Sequence, residues 1–186
     1  QDAAQAIPKL EKQLSEQPSD PIVITRLAGI YERSGALDKA QATYEKLLAT
    51  NPNAVAHLIQ IGLVYEKSGA LDKAEEAYQR ILRQNPAAMA ASLQLGRLYA
   101  QRNNIAKAQS TYESAMRENP KDAAPMILLA QLYANPLNNP VKALDLAKKA
   151  RMLDPDNQDL AFLLGQLAYE TGDPKWAFSL LAECSR

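Results

Sequence analysis

The chain is poor in the residues that usually carry chemistry. It has one cysteine, one histidine and one tryptophan among 186 residues. The lone cysteine, Cys184, excludes an intrachain disulfide and leaves the compartment unassigned. The lone histidine, His57, has no second histidine or cysteine among its turn-mates. It reads as a surface or groove-edge residue rather than a metal ligand. Excess charge of either sign is also missing: Lys plus Arg is 21 and Asp plus Glu is 21. That balance argues against a general attraction to nucleic acid or anionic lipid. No apolar run approaches the ~18 residues that span a bilayer. The opening "QDAAQAIPKL" lacks both a methionine and the apolar core of a signal peptide. Phosphate-cradling glycine loops and the H-E-x-x-H metal motif are missing as well. Carboxylate pairs such as Glu75 and Glu76 sit beside Lys73 and Arg80 and read as a solvated helix face. The expectation is a protein without catalysis, cofactor, metal, nucleic-acid partner or inserted membrane segment.

What is abundant is repetition. "YERSGALDKA" at 31–40 returns as "YEKSGALDKA" at 65–74, with nine of ten positions identical. Prolines Pro18, Pro52, Pro86 and Pro120 are each 34 apart, and Pro155 follows at 35. Tyr31, Tyr65, Tyr99 and Tyr133 keep the same step, as do Tyr44, Tyr78 and Tyr112, and Ala40, Ala74 and Ala108. A fixed period of this length signals a solenoid whose unit is the repeat.

Each unit reads as two helices. Leu58, Ile61, Gly62 and Tyr65 share one helical face. Gly69 ends that helix, and a second follows with Ala74, Tyr78 and Ile81 on its buried stripe. Asn85 and Pro86 close the unit, because proline disfavours helix at the residue before it.

These residues resemble the tetratricopeptide repeat (TPR), W-x2-L-G-x2-Y, then A-x3-F, then P. Residues 58–65, "LIQIGLVY", carry the first part, and Ala74, Tyr78 and Pro86 complete it. "SLQLGRLY" with Ala108, Tyr112 and Pro120, and "ITRLAGIY" with Ala40, Tyr44 and Pro52, do the same. The resemblance implies an all-α, right-handed superhelical solenoid over 1–186. Its repeats are 21–54, 55–88, 89–122, 123–157 and 158–186, after a partial repeat helix in 1–20. That helix carries Ala6 and Leu10 in the Ala and aromatic slots and is expected to begin near Pro8.

Departures from the pattern carry their own expectations. The Trp slot holds Ile24, Leu58, Ser92, Met126 and Ala161. The fourth unit is one residue long through "NPLNNP", which predicts a longer turn. In the fifth, Ala168 takes the tyrosine slot and Tyr169 falls one place late, toward groove or solvent. Trp176 and Phe178 stand where earlier second helices carry Lys39 and Gln41. A solenoid normally closes with a polar cap. Trp176 and Phe178 are therefore expected to meet a further helix of a longer protein, the neighbouring repeat, or a second copy in a homo-oligomer.

The resemblance further implies that first helices line a concave groove that binds a protein or peptide partner. On family geometry the groove residues are Ile59, Leu63, Leu93, Arg97, Ile127, Gln131, Phe162 and Gln166. Together they make an apolar strip edged by arginine and glutamine, suited to an amphipathic helix or extended peptide. Two known family modes do not fit. The clamp for acidic chaperone tails needs Lys and Asn where Thr25 and Gly29, or Ile59 and Leu63, stand. The asparagine ladder of the sugar transferases is replaced by Arg26, Gln60, Gln94, Leu128 and Leu163. The expected function is a non-catalytic protein-interaction scaffold of the kind found in prokaryotic TPR proteins. The alternatives are the regulatory or substrate-recruiting arm of a larger enzyme, and a structural spacer or self-association module.

Overall fold

The computed structural model describes residues 3–50 and 55–183, and among these there is no strand. They form two compact units, 1–85 and 86–186. The first unit contains α1 (Ala3–Glu16), α2 (Pro21–Arg33), α3 (Leu37–Thr50), α4 (Val55–Lys67) and α5 (Leu71–Gln84). The second contains α6 (Met89–Gln101), α7 (Ile105–Glu118), α8 (Ala124–Ala134), α9 (Pro140–Leu153), α10 (Gln158–Glu170) and α11 (Pro174–Glu183). Each unit is a stack of helical hairpins: α2 pairs with α3, α4 with α5, α6 with α7, α8 with α9 and α10 with α11. Pro52 and Cys184 lie outside the described residues.

The repeated phrase builds the turn inside each hairpin. Gly35, Gly69, Asn103, Asn138 and Gly172 occupy equivalent places, and all have positive φ, from 47° to 91°. Glycine takes that conformation freely, and asparagine tolerates it better than other side chains. The turn is locked by a backbone bond reaching over it: Ala36 N to Tyr31 O at 2.9 Å, Ala70 N to Tyr65 O at 2.8 Å, and Asn104 N to Tyr99 O at 2.8 Å. In the fourth hairpin the bond runs one residue further, from Asn139 N to Tyr133 O at 2.7 Å. The additional residue of "NPLNNP" is thus absorbed between α8 and α9. Asn104, Asn139 and Asn157 cap the helices that follow them by accepting from Lys107, Lys142 and Leu160 N–H groups.

The phrase also carries a contact between its tyrosine and its lysine. Lys39, Lys73 and Lys107 place Nζ at 5.5, 5.6 and 5.0 Å from the ring centroids of Tyr31, Tyr65 and Tyr99. Lys142 does the same over Tyr133 at 5.3 Å. Each ring is covered by a cation from the second helix of its own hairpin, a contact worth ~0.5–1 kcal/mol at exposed sites.

Helices within a hairpin approach closely where a small residue faces a large one. A Cβ placed on Gly62 would lie 2.4 Å from Tyr78 Cε1, and one on Gly96 would lie 2.2 Å from Tyr112 Cε1. The two rings thus occupy the space that a side chain at these positions would need. Around these contacts Ile24, Leu27, Leu47, Leu58 and Ile61 are buried in the first unit, and Leu98, Leu129, Leu160 and Leu164 in the second.

One expectation about the amino terminus is corrected. Helix α1 starts at Ala3, not near Pro8, and carries Pro8 inside it. Proline there costs the bond to the carbonyl four residues back. Burial of Leu10 and a hydrogen bond from the Tyr31 hydroxyl to Glu11 hold α1 on α2 and offset that loss.

Candidate functional site: the faces of the first helices

In each hairpin the first helix buries one face in the stack and leaves another partly open. On α4, Leu58, Ile61 and Val64 are buried, while Ile59 and Leu63 are half-buried and Gln60 is exposed. On α6, Leu95 and Leu98 are buried, Leu93 is half-buried and Arg97 is exposed. On α8, Gln131 is exposed, whereas Ile127 is half-buried and packs against the core around Ala123, Met126 and Leu160. Ile127 also edges a cavity of about 580 Å3 that Leu153, Asp154 and Asn157 help to line. On α10, Phe162 is 51% exposed and Gln166 is exposed. All eight residues expected on this face therefore lie on first helices and retain some exposure, although much of the Ile127 surface serves packing.

The first unit has a cavity of about 720 Å3 that sequence reasoning did not single out. Thr25, Arg26, Gly29 and Arg33 of α2 line it, with Tyr44 of α3 and Gln60 of α4. Tyr44 is only 3% exposed. Burial raises the pKa of its hydroxyl, the Glu32 charge adds to the rise, and Arg33 opposes it. The equivalent tyrosine one repeat later, Tyr78, donates its hydroxyl to Glu66. Glu32, the counterpart of Glu66, is instead held by Lys67 Nζ at 2.7 Å. No described residue accepts a hydrogen bond from Tyr44, and none bonds or ion-pairs with Arg26 or Arg33. The signal that could have revealed this was Lys67, which stands in the repeat position of Arg33 and draws Glu32 away.

At the other end, Trp176 is half-buried against the core that includes Leu160, Leu164 and Leu180. Lys148 of α9 sits over its ring at 4.9 Å from the centroid. The ring that a tyrosine supplies from the first helix of earlier hairpins comes here from the second helix. Phe178 is 76% exposed, and Tyr169 is 72% exposed. His57 is half-buried near the start of α4, and its Nδ1 has no partner among the described residues. No helix among the described residues is long and apolar enough to cross a membrane.

Hairpins of two helices, closed by a left-handed turn and stacked through small-to-large contacts, define a helical-repeat protein of the scaffold class. The sequence profile of the tetratricopeptide repeat family matches residues 1–60 and 66–132, and the chain belongs to that family. The family's fold is in general a protein-interaction scaffold. None of the curated proteins matches the chain in sequence. Among solved structures it is similar to MamA, at 19% identity over 88% of this chain and 89% of that one, with a TM-score of 0.73. It is similar to residues 41 to the end of MamA from Desulfovibrio magneticus, at 20% identity over 89% and 93%, TM-score 0.73. A tetratricopeptide repeat protein from Parabacteroides merdae is 21% identical over 98% of this chain and 71% of that one, with a TM-score of 0.67. Likeness at this level of identity speaks for the fold.

Proposed function

We infer that the protein is a non-catalytic scaffold that holds a segment of a partner protein on the open faces of its first helices. The observation that carries this reading is the exposure of apolar side chains where the stack leaves them uncovered. In the second unit Phe162 is 51% exposed and Leu93 is half-buried, on first helices that also carry exposed Arg97, Gln131 and Gln166; in the first unit Ile59 and Leu63 are half-buried on α4, which also carries exposed Gln60. Apolar centres edged by arginine and amide groups suit a helix or an extended peptide, whose backbone groups need polar partners at the rim. Replacing Leu93 and Phe162 by Asp tests the reading. Partner capture is expected to fall at least about tenfold while far-UV circular dichroism stays native, because a charge in an apolar contact costs more than ~1.4 kcal/mol. Unchanged capture with native helicity contradicts it.

A second reading, self-association through α11, is favoured by Phe178, which is 76% exposed on a helix with no following hairpin among the described residues. Light scattering across a concentration series tests it, with Phe178→Ser expected to abolish any dimer. A strict monomer at all concentrations removes it.

A further inference from the structure

Exposed aromatic rings gather on one first helix of the second unit. On α10, Phe162 is 51% exposed and Tyr169 is 72% exposed. They stand seven residues apart, which at 3.6 residues per turn puts both on one line along the helix, about 10.5 Å from each other. That line lies opposite the buried Leu160, Leu164 and Leu167, so both rings point away from the core. Asp159, Gln166 and Glu170, all exposed, form a second row beside the rings, roughly 40–80° around the axis. No described residue bonds or ion-pairs with the side chains of that row. The repeat supplies the comparison. In earlier hairpins the place of Tyr169 is held by Glu32, Glu66, Ala100 and Ala134, and that of Phe162 by Thr25, Ile59, Leu93 and Ile127. The paired rings are thus particular to α10.

We propose that this face of α10 binds a proline-rich segment of a partner protein in the polyproline II conformation, with prolines packed on Phe162 and Tyr169 and a flanking basic residue paired with Asp159 or Glu170. The inference rests on the scaffold reading above and names the chemistry of one part of the partner. Prolines three apart in that conformation share one side of the chain and recur every ~9.3 Å, close to the ring spacing. Alternate residues of a strand recur every ~6.7 Å and match it at neither one step nor two. A partner helix can match the spacing, but its carbonyls are bonded within the helix and leave the Gln166 amide facing apolar side chains. A polyproline segment has no internal hydrogen bonds, so its carbonyls are free to accept from Gln166. It is also ordered before it binds, which lowers the entropic cost of docking. The two rows hold two carboxylates and no cation, which favours a basic flank.

The test uses the whole chain labelled with 4-fluorophenylalanine. The chain has two phenylalanines, Phe162 and Phe178, so fluorine NMR gives two signals, assigned with Phe178→Leu. The probe is a capped decaproline with an arginine at each end. A saturating shift at Phe162, with none at Phe178, is expected. Tyr169→Ala should weaken binding at least about fivefold, the scale of a lost aromatic anchor, and Gln166→Ala a few-fold. Asp159→Asn with Glu170→Gln should weaken the arginine-flanked peptide a few-fold and leave binding of capped decaproline alone unchanged. Absence of a shift at Phe162 overturns the proposal. So does an equal shift at Phe178, which is 76% exposed and reports indiscriminate apolar contact. Tighter binding at Phe162 by an amphipathic helical peptide of leucine and lysine also overturns it, in favour of a helical partner. If the proline peptide fails while the Leu93→Asp, Phe162→Asp variant still loses its partner, only the proline recognition falls.

Discussion

Consider adding one methyl group, Gly96→Ala. The new Cβ would lie 2.2 Å from Tyr112 Cε1, 2.6 Å from Cζ and 2.8 Å from Cδ1. Comfortable carbon contacts begin near 3.5 Å, so the ring or the helix must retreat by about 1.3 Å. Tyr112 is 2% exposed, and its ring is enclosed in the packed hairpin. Overpacking of this kind costs ~1–3 kcal/mol. Alanine returns ~1 kcal/mol through helix propensity, leaving a net loss of about 1 kcal/mol and at most ~2. The sole tryptophan, Trp176, belongs to the same unit, so urea unfolding followed by its fluorescence reads the effect where it occurs. Gly29→Ala is the control, since its Cβ would meet only Arg33 Nη1 at an ordinary 3.5 Å. Followed by circular dichroism, that variant should be stabilised by up to ~1 kcal/mol. In a Tyr112→Ala background, which copies the Ala130 and Ala147 of the fourth hairpin, Gly96→Ala should turn from destabilising to stabilising. If Gly96→Ala stabilises the parent chain as Gly29→Ala does, the small-to-large packing argument is wrong.

Other expectations follow from the same structure. Burial raises Tyr31, Tyr65 and Tyr112 from 10.0 to about 12, with Glu11 adding to the rise at Tyr31 and Glu45 at Tyr65. Their folded pKa values lie above the unfolded value, so the unfolded chain loses protons first. Stability from these groups is therefore complete below about pH 10 and declines from there through about pH 12, which denaturant melts across that window should record. Asn103 holds φ at 57°, so Asn103→Ala should cost ~1 kcal/mol while Asn103→Gly stays within ~0.5 kcal/mol of the parent in the same fluorescence assay. Lys142→Gln removes the cation over Tyr133 and should cost no more than ~1 kcal/mol.

The helix pairs were legible because their signals are local and repeated: glycine or asparagine at the turn, and buried Ala, Leu and Tyr at fixed steps. The long turn at "NPLNNP" was legible for the same reason, since an additional residue interrupts a strict period. Pro8 was misleading, because the helix-breaking rule is local while the contacts that retain α1, Leu10 and Glu11 to Tyr31, come from another helix. The lysine–tyrosine pairs went unread although both residues were in the quoted phrase. Their contact crosses a turn, and helical periodicity does not bring residues eight apart together there. The expected face residues followed from family geometry, but position alone could not show that Ile127 spends much of its surface on the core. Least legible was the cavity at Tyr44. Glu32 and Glu66 are equivalent in sequence, and only their partners, Lys67 in one case and Tyr78 in the other, set the two hairpins apart.

The most direct test of the account is photo-cross-linking from inside the chain. A benzophenone side chain replaces Leu93, on the open face of α6, or Ser110, exposed on the second helix α7, and each variant is irradiated with native partner present. Cross-links to partner from position 93 and not from 110 are predicted. Equal cross-linking from both, or from 110 alone, would mean that the first-helix faces are not where this repeat protein works.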